Sequence, residues 1–112
     1  MPRCEATDSV YVRVMRIVRH ASGISSIGYH VVWCPKYRRR LLTGAVAVAL
    51  EAALREVAAE MGVAVVALEI MPDHVHVFAD VPVTIAPTDM VQGLKGASSR
   101  RLRRRFPFLG AR

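Results

Sequence analysis

A chain of 112 residues that is 53% hydrophobic can bury one two-layer core but not two independent ones. No apolar run reaches the roughly 18 to 20 residues needed to cross a bilayer, and Met1-Pro2-Arg3-Cys4-Glu5 does not start a charged-then-apolar leader, so a cytoplasmic protein without membrane contact is expected. The net charge of +7 points to phosphate-bearing partners, because such a field attracts anionic backbones and speeds encounter with them.

Nearly all of that charge is arginine, with Lys36 and Lys95 the only lysines. One cluster comprises Lys36, Arg38, Arg39 and Arg40, and a second runs from Lys95 through Arg100, Arg101, Arg103, Arg104 and Arg105. A guanidinium fork grips phosphate bidentately, which an ammonium group does not. Nucleic acid is therefore preferred over a merely solvated charged face, with Lys36, Arg38, Arg39, Arg40, Lys95, Arg100, Arg101 and Arg104 as the expected contacts. Cys4 and Cys34 form no C-x-x-C, so neither a disulfide framework nor a zinc ribbon is indicated and reduced thiols are expected.

In chain order, residues 1–27 read as an N-terminal extension. Residues 10–18 have the β-branched content of a strand, although their arginines do not keep to one face. Residues 21–26, Ala-Ser-Gly-Ile-Ser-Ser, read as a flexible connection, and His20 as a surface residue. Tyr29-His30-Val31-Val32-Trp33-Cys34 is a strand apolar on both faces, suited to a central position in a sheet. Pro35 ends it, and Tyr37 beside the basic cluster reads as a ring over the core edge. Thr43 can cap a helix to about Met61 whose stripe is Val46, Leu50, Leu54, Val57 and Met61, with Gly62 as C-cap and Glu51 paired to Arg55. Residues 63–70 form a second apolar strand. Met71-Pro72-Asp73 is too short for anything but an antiparallel return. After Pro82 a helix enters near Pro87, with Val91, Leu94, Ser98, Leu102 and Phe106 as its buried stripe, and Phe106-Pro107 ends it. In Lys95-Gly96-Ala97-Ser98-Ser99-Arg100-Arg101 small residues and cations share adjacent positions, which lets another backbone come close beside charge.

The returning strand carries the chemistry. Alternation places His74, His76, Phe78 and Asp80 on one face and Val75, Val77, Ala79 and Val81 on the other. Two imidazoles pointing the same way, with Asp73 just before them, make half of a divalent-metal site. An isolated His-x-His is more often a pair of histidines on a wet strand face, so the surrounding motifs decide.

Those motifs are Tyr29-His30-Val31-Val32-Trp33-Cys34-Pro35-Lys36-Tyr37-Arg38, Met71-Pro72-Asp73-His74-Val75-His76-Val77 and Leu94-Lys95-Gly96-Ala97-Ser98-Ser99-Arg100-Arg101-Leu102. In that order and spacing, from about Gly28 to Pro107, the chain resembles the small single-tyrosine transposases of bacterial insertion sequences (IS200-like), members of the HUH endonuclease superfamily. The element order fits an α+β, ferredoxin-like α/β sandwich with antiparallel pairing and helices on one sheet face. The resemblance implies a transposase that cuts and joins single-stranded DNA, recognises hairpins and works as a homodimer. It implies that His74 and His76 bind Mg2+ or Mn2+ and that a tyrosine on a later helix forms a phosphotyrosine link. An ion on a nonbridging oxygen would offset charge developing in attack, and the covalent link would conserve the phosphodiester energy.

Relatives of this kind continue past the Arg-rich helix into a fourth strand and a last helix bearing the nucleophilic tyrosine and a further polar metal ligand. This sequence stops at Leu109-Gly110-Ala111-Arg112. Residues 28–112 are accordingly expected to be a C-terminally truncated transposase-like domain lacking its final strand and helix. Tyr11, Tyr29 and Tyr37 match no nucleophile position, so no catalytic residue is assigned and the chain alone is expected to be inactive. The alternatives are a noncatalytic module for single-stranded or hairpin DNA, and a ferredoxin-like RNA-binding domain, for which only Trp33 and Phe78 offer stacking surfaces.

Overall fold

The computed structural model describes residues 10–34 and 41–110. Strands β1 (Val10–His20), β2 (Gly23–Trp33), β3 (Ala64–Met71) and β4 (His74–Pro82) form one sheet in the order β1-β2-β4-β3, antiparallel throughout. One face of the sheet packs against helix α1 (Gly44–Met61) and a second helical rod. That rod consists of α2 (Pro87–Val91), a π-helical turn (Gln92–Ala97) and α3 (Ser98–Arg105), followed by a 3-10 turn, Pro107–Gly110. No helix among the described residues is long and apolar enough to cross a membrane.

The register follows from burial. Val75, Val77, Ala79 and Val81 are at most 1% exposed, against Leu50, Leu54 and Val57 of α1 and Leu94 of the π turn. Each fully buried valine contributes about 1.5–3 kcal/mol. A one-residue slip would exchange this row for His74, His76, Phe78 and Asp80, so the histidine face is held outward by several such contributions. The expected α1 stripe is buried except for the half-buried Met61, Gly62 closes the helix at φ 75°, and Arg55 Nε bonds Glu51 Oε2 at 3.2 Å. Thr43 differs from expectation. Its side chain makes no capping bond; its carbonyl accepts the Val46 and Ala47 amides instead.

The N-terminal segment also differs. Residues 21–26 are not a flexible connection: Ala21 and Ser22 form a two-residue hairpin turn, and β2 already begins at Gly23, whose φ of 127° a side chain would disfavour. Two register irregularities, at Val14/Arg16 and Val18/Arg19, break the alternation. That is why Arg13 and Arg16, three residues apart, both face outward, opposite His30 and Gly28. β1 occupies the sheet edge that a ferredoxin-like topology gives to its last strand. The helices do not reach over it, leaving Val12, Val14 and Ile17 at 40%, 54% and 47% exposure. Cys34, expected to carry a reduced thiol, is disulfide-bonded.

Gly28 lets the outer face close. Arg16 crosses over it to make a two-point ion pair with Asp80, Nε to Oδ1 at 3.1 Å and Nη2 to Oδ2, while its guanidinium lies 5.5 Å from the Phe78 ring centroid. A Cβ on Gly28 would stand 2.7 Å from Arg16 Cγ and 3.0 Å from both Asp80 Oδ1 and Phe78 Cε1. Gly28→Ala is therefore expected to destabilise the fold by about 1–3 kcal/mol, as overpacking does. Urea unfolding measures it, and an unchanged midpoint would mean that the Arg16 bridge simply moves aside.

Candidate metal and nucleic-acid site

His74 and His76 stand on the outer face of β4, as alternation requires, and their rings meet edge to face with centroids 4.8 Å apart. Each has its Nδ1 engaged. His74 Nδ1 lies 2.7 Å from Asp73 Oδ1, and because a carboxylate only accepts, His74 carries its proton on Nδ1. His76 Nδ1 lies 3.1 Å from His30 Nε2. The Nε2 atoms of both rings are buried without a hydrogen-bond partner, the only such side-chain atoms among the described residues. Buried polar atoms are normally satisfied, and two neighbouring unpaired imidazole nitrogens whose other nitrogens are held by outer partners are what a cation ligand pair requires. Among the described residues no third His, Cys, Asp or Glu completes a set, so the fit is to half of a coordination sphere.

Electrostatics favour the ligating form. Burial, then the neighbouring His74 and His30, push the His76 pKa below its ordinary 6.5, against a smaller opposing pull from Glu69, its cross-strand partner on β3. A metal-binding imidazole must be neutral. The same shift predicts a stability effect. Between pH 6.5 and the lowered folded value, the unfolded chain binds a proton that the fold refuses, so stability rises with pH through that window and the penalty is complete below it. Melting temperature is expected to drop on going from about pH 7.5 to about pH 5, and to drop less in His76→Gln. Equal drops in both would assign the effect to other groups.

His30 was not legible as part of this cluster, because Tyr29-His30-Val31-Val32-Trp33 reads as apolar on both faces. Cross-strand register reveals it: His30 sits opposite Phe78 and Val32 opposite His76, so His30 and His76 are diagonal neighbours on one face. The Tyr11 ring meets His30 edge-on, with centroids 6.4 Å apart.

The second basic cluster lies across the sheet. Lys95 belongs to the π turn and Arg100, Arg101 and Arg104 to α3, all on the helical side, so the sheet separates them from the histidine pair. A groove of about 790 Å³ has Trp33, Leu42 and Leu50 in its floor and Lys95, Gly96, Arg100 and Arg103 along it. Arg100 and Arg104 are exposed. Arg101 is engaged: its Nη1 bonds Glu56 Oε1 at 3.2 Å and its Nη2 bonds Glu60 Oε1 at 2.5 Å, joining α3 to α1. Lys36, Arg38, Arg39 and Arg40, together with Tyr37, lie outside the described residues.

A family described as "Transposase IS200 like" matches residues 23–112. The chain belongs to the IS200-like transposase family. It is 43% identical over 86 residues to the ISDra2 transposase TnpA of Deinococcus radiodurans, covering 77% of this chain and 61% of that one. It is 32% identical over 78 residues to the transposase for insertion sequence element IS200 of Salmonella typhimurium, covering 70% and 51%. The chain thus spans between about half and three-fifths of the length of these relatives. The crystal structure of a candidate transposase from Deinococcus radiodurans R1 superposes with a TM-score of 0.72 at 39% identity, over 83% of this chain and 70% of that one. For an IS200-like chain, the α+β antiparallel sheet with helices on one face is the expected architecture, and it is the one observed. Trp33 is buried at 5% exposure and Phe78 lies under Arg16, so the stacking surface of an RNA-binding sheet is not offered.

Proposed function

We propose that this IS200-like chain is the metal- and DNA-binding portion of a single-tyrosine, HUH-type transposase acting on hairpin or single-stranded DNA. The observation that carries the reading is the pair of buried, unpartnered Nε2 atoms on His74 and His76. These two residues would hold Mg2+ or Mn2+, and a bound divalent ion supplies charge neutralisation at a nonbridging phosphate oxygen. Asp73 and His30 fix the two rings. Arg100 and Arg104, with Lys36, Arg38, Arg39, Arg40 and Lys95, would hold the DNA backbone, and Arg101 would brace the helix that presents them. A second copy of the chain is the proposed partner, supported by the apolar row of edge strand β1.

A noncatalytic hairpin-binding module is the second reading, and the two tyrosines among the described residues favour it. Tyr29 is 6% exposed and faces the helices, on the far side of the sheet from His74 and His76. Tyr11 is on the histidine face but rests against His30. A phenol with pKa about 10 attacks phosphate poorly unless positioned in line. The 112-residue polypeptide with manganese and labelled single-stranded DNA is therefore expected to show binding but no covalent band on a denaturing gel. A band lost on Tyr11→Phe or Tyr37→Phe would identify the nucleophile and remove the noncatalytic reading.

A further inference from the structure

We propose that His30 is the positioning residue of the His76 half-site: its Nε2 accepts the His76 Nδ1 proton, which keeps the His76 Nε2 lone pair free for a divalent cation. This rests on the reading of His74 and His76 as metal ligands. The 3.1 Å contact alone allows either ring to donate. If His30 donated, the His76 proton would sit on Nε2, buried with no acceptor, which is a costly arrangement. If His30 accepts, its own proton sits on Nδ1, and that atom is not among the buried unpartnered ones. The second arrangement leaves no buried N–H without a partner.

The two half-sites then become chemically alike although their outer partners differ. His74 donates from Nδ1 to a carboxylate on the adjacent residue, and His76 donates from Nδ1 to an imidazole 46 positions away in sequence. Both leave Nε2 as the vacant nitrogen. Outer partners of this kind fix tautomer and ring orientation in metal sites. A neutral imidazole suits the place beside His76, since a charged ring there would oppose a cation. The rings lie only 21° from parallel with centroids 5.3 Å apart, so the N···N contact runs side to side rather than through the ring face. Tyr11 against the His30 edge limits its rotation.

The test combines long-range proton–nitrogen spectra of the metal-free protein with manganese calorimetry on the parent, His30→Leu and His30→Gln. Glutamine is the rescuing variant because its amide oxygen reaches about as far as histidine Nε2 and accepts. The parent is expected to show His76 protonated on Nδ1. His30→Leu should move the proton toward Nε2 and weaken manganese binding about 10-fold or more, and His30→Gln should restore both. Unchanged tautomer and affinity in His30→Leu, or a His30→Gln no better than His30→Leu, would overturn the role of His30 alone. Manganese binding that is indifferent to His74→Ala with His76→Ala would overturn the ligand reading, and the role of His30 with it.

Discussion

Manganese binding, measured by calorimetry, is expected to vanish in the double variant His74→Ala, His76→Ala, with the circular dichroism unchanged. Both rings stand on the outer face, so truncating them leaves untouched the valine row that holds β4 against the helices. The parent itself should bind weakly, because the described residues supply only two imidazole nitrogens and protein sites for magnesium and manganese draw mainly on oxygen ligands. Each single variant should lose most of the binding. Full-strength binding in the double variant would place the cation elsewhere, and the unpartnered Nε2 atoms would then need another explanation.

Single-stranded-DNA affinity should fall steeply with salt in the parent and less steeply after Arg100→Ala with Arg104→Ala. Each neutralised phosphate contributes roughly 0.7 to the logarithmic salt slope on single strands, so losing two contacts should flatten it by about 1.4. Arg101→Ala should behave differently. Its guanidinium is engaged by Glu56 and Glu60, so that change should leave the slope nearly intact and instead lower the melting temperature slightly, since solvent screens exposed ion pairs. A slope that flattens as much in Arg101→Ala as in the paired variant would mean that the braces open on DNA binding. A slope unaffected by either would move the interface to Lys36, Arg38, Arg39 and Arg40.

Where periodicity is regular, fold and site were readable in advance. The alternation from His74 to Val81 and the spacing from Val46 to Val57 are uninterrupted, and they place the histidine pair and the α1 core stripe correctly. Two kinds of information were not readable. The strand over residues 10–18 was legible and β1 bears it out, but its irregularities and two wet faces hid its register and which face its arginines take, and the hairpin turn at Ala21-Ser22 looked like a loose joint. His30 and Arg101 depend on partners far along the chain, His76 and the Glu56/Glu60 pair, and a run such as Ser99-Arg100-Arg101-Leu102-Arg103-Arg104 does not reveal which cation turns inward.

The π turn explains how those cations are sorted. Met90, Leu94, Ser98 and Leu102 are buried at strict four-residue steps. An α-helix advances about 100° per residue, so each such step overshoots a full turn by about 40°, and three in a row would carry the last side chain round to the solvent. The wider winding from Gln92 to Ala97 cancels that angular drift, and the buried Ser98 hydroxyl donates back to the carbonyls of Leu94 and Lys95 there. Over its length the π turn thus offsets most of the drift between Met90 and Leu102, and the buried series stays on the core side of the rod. Gly96 and Arg100 then share one side, with the bare backbone of Gly96 close to the Arg100 guanidinium, while Arg101 turns toward Glu56 and Glu60 of α1. A loosened turn, carrying no charge of its own, thereby decides which arginines are offered outward and which one braces the scaffold.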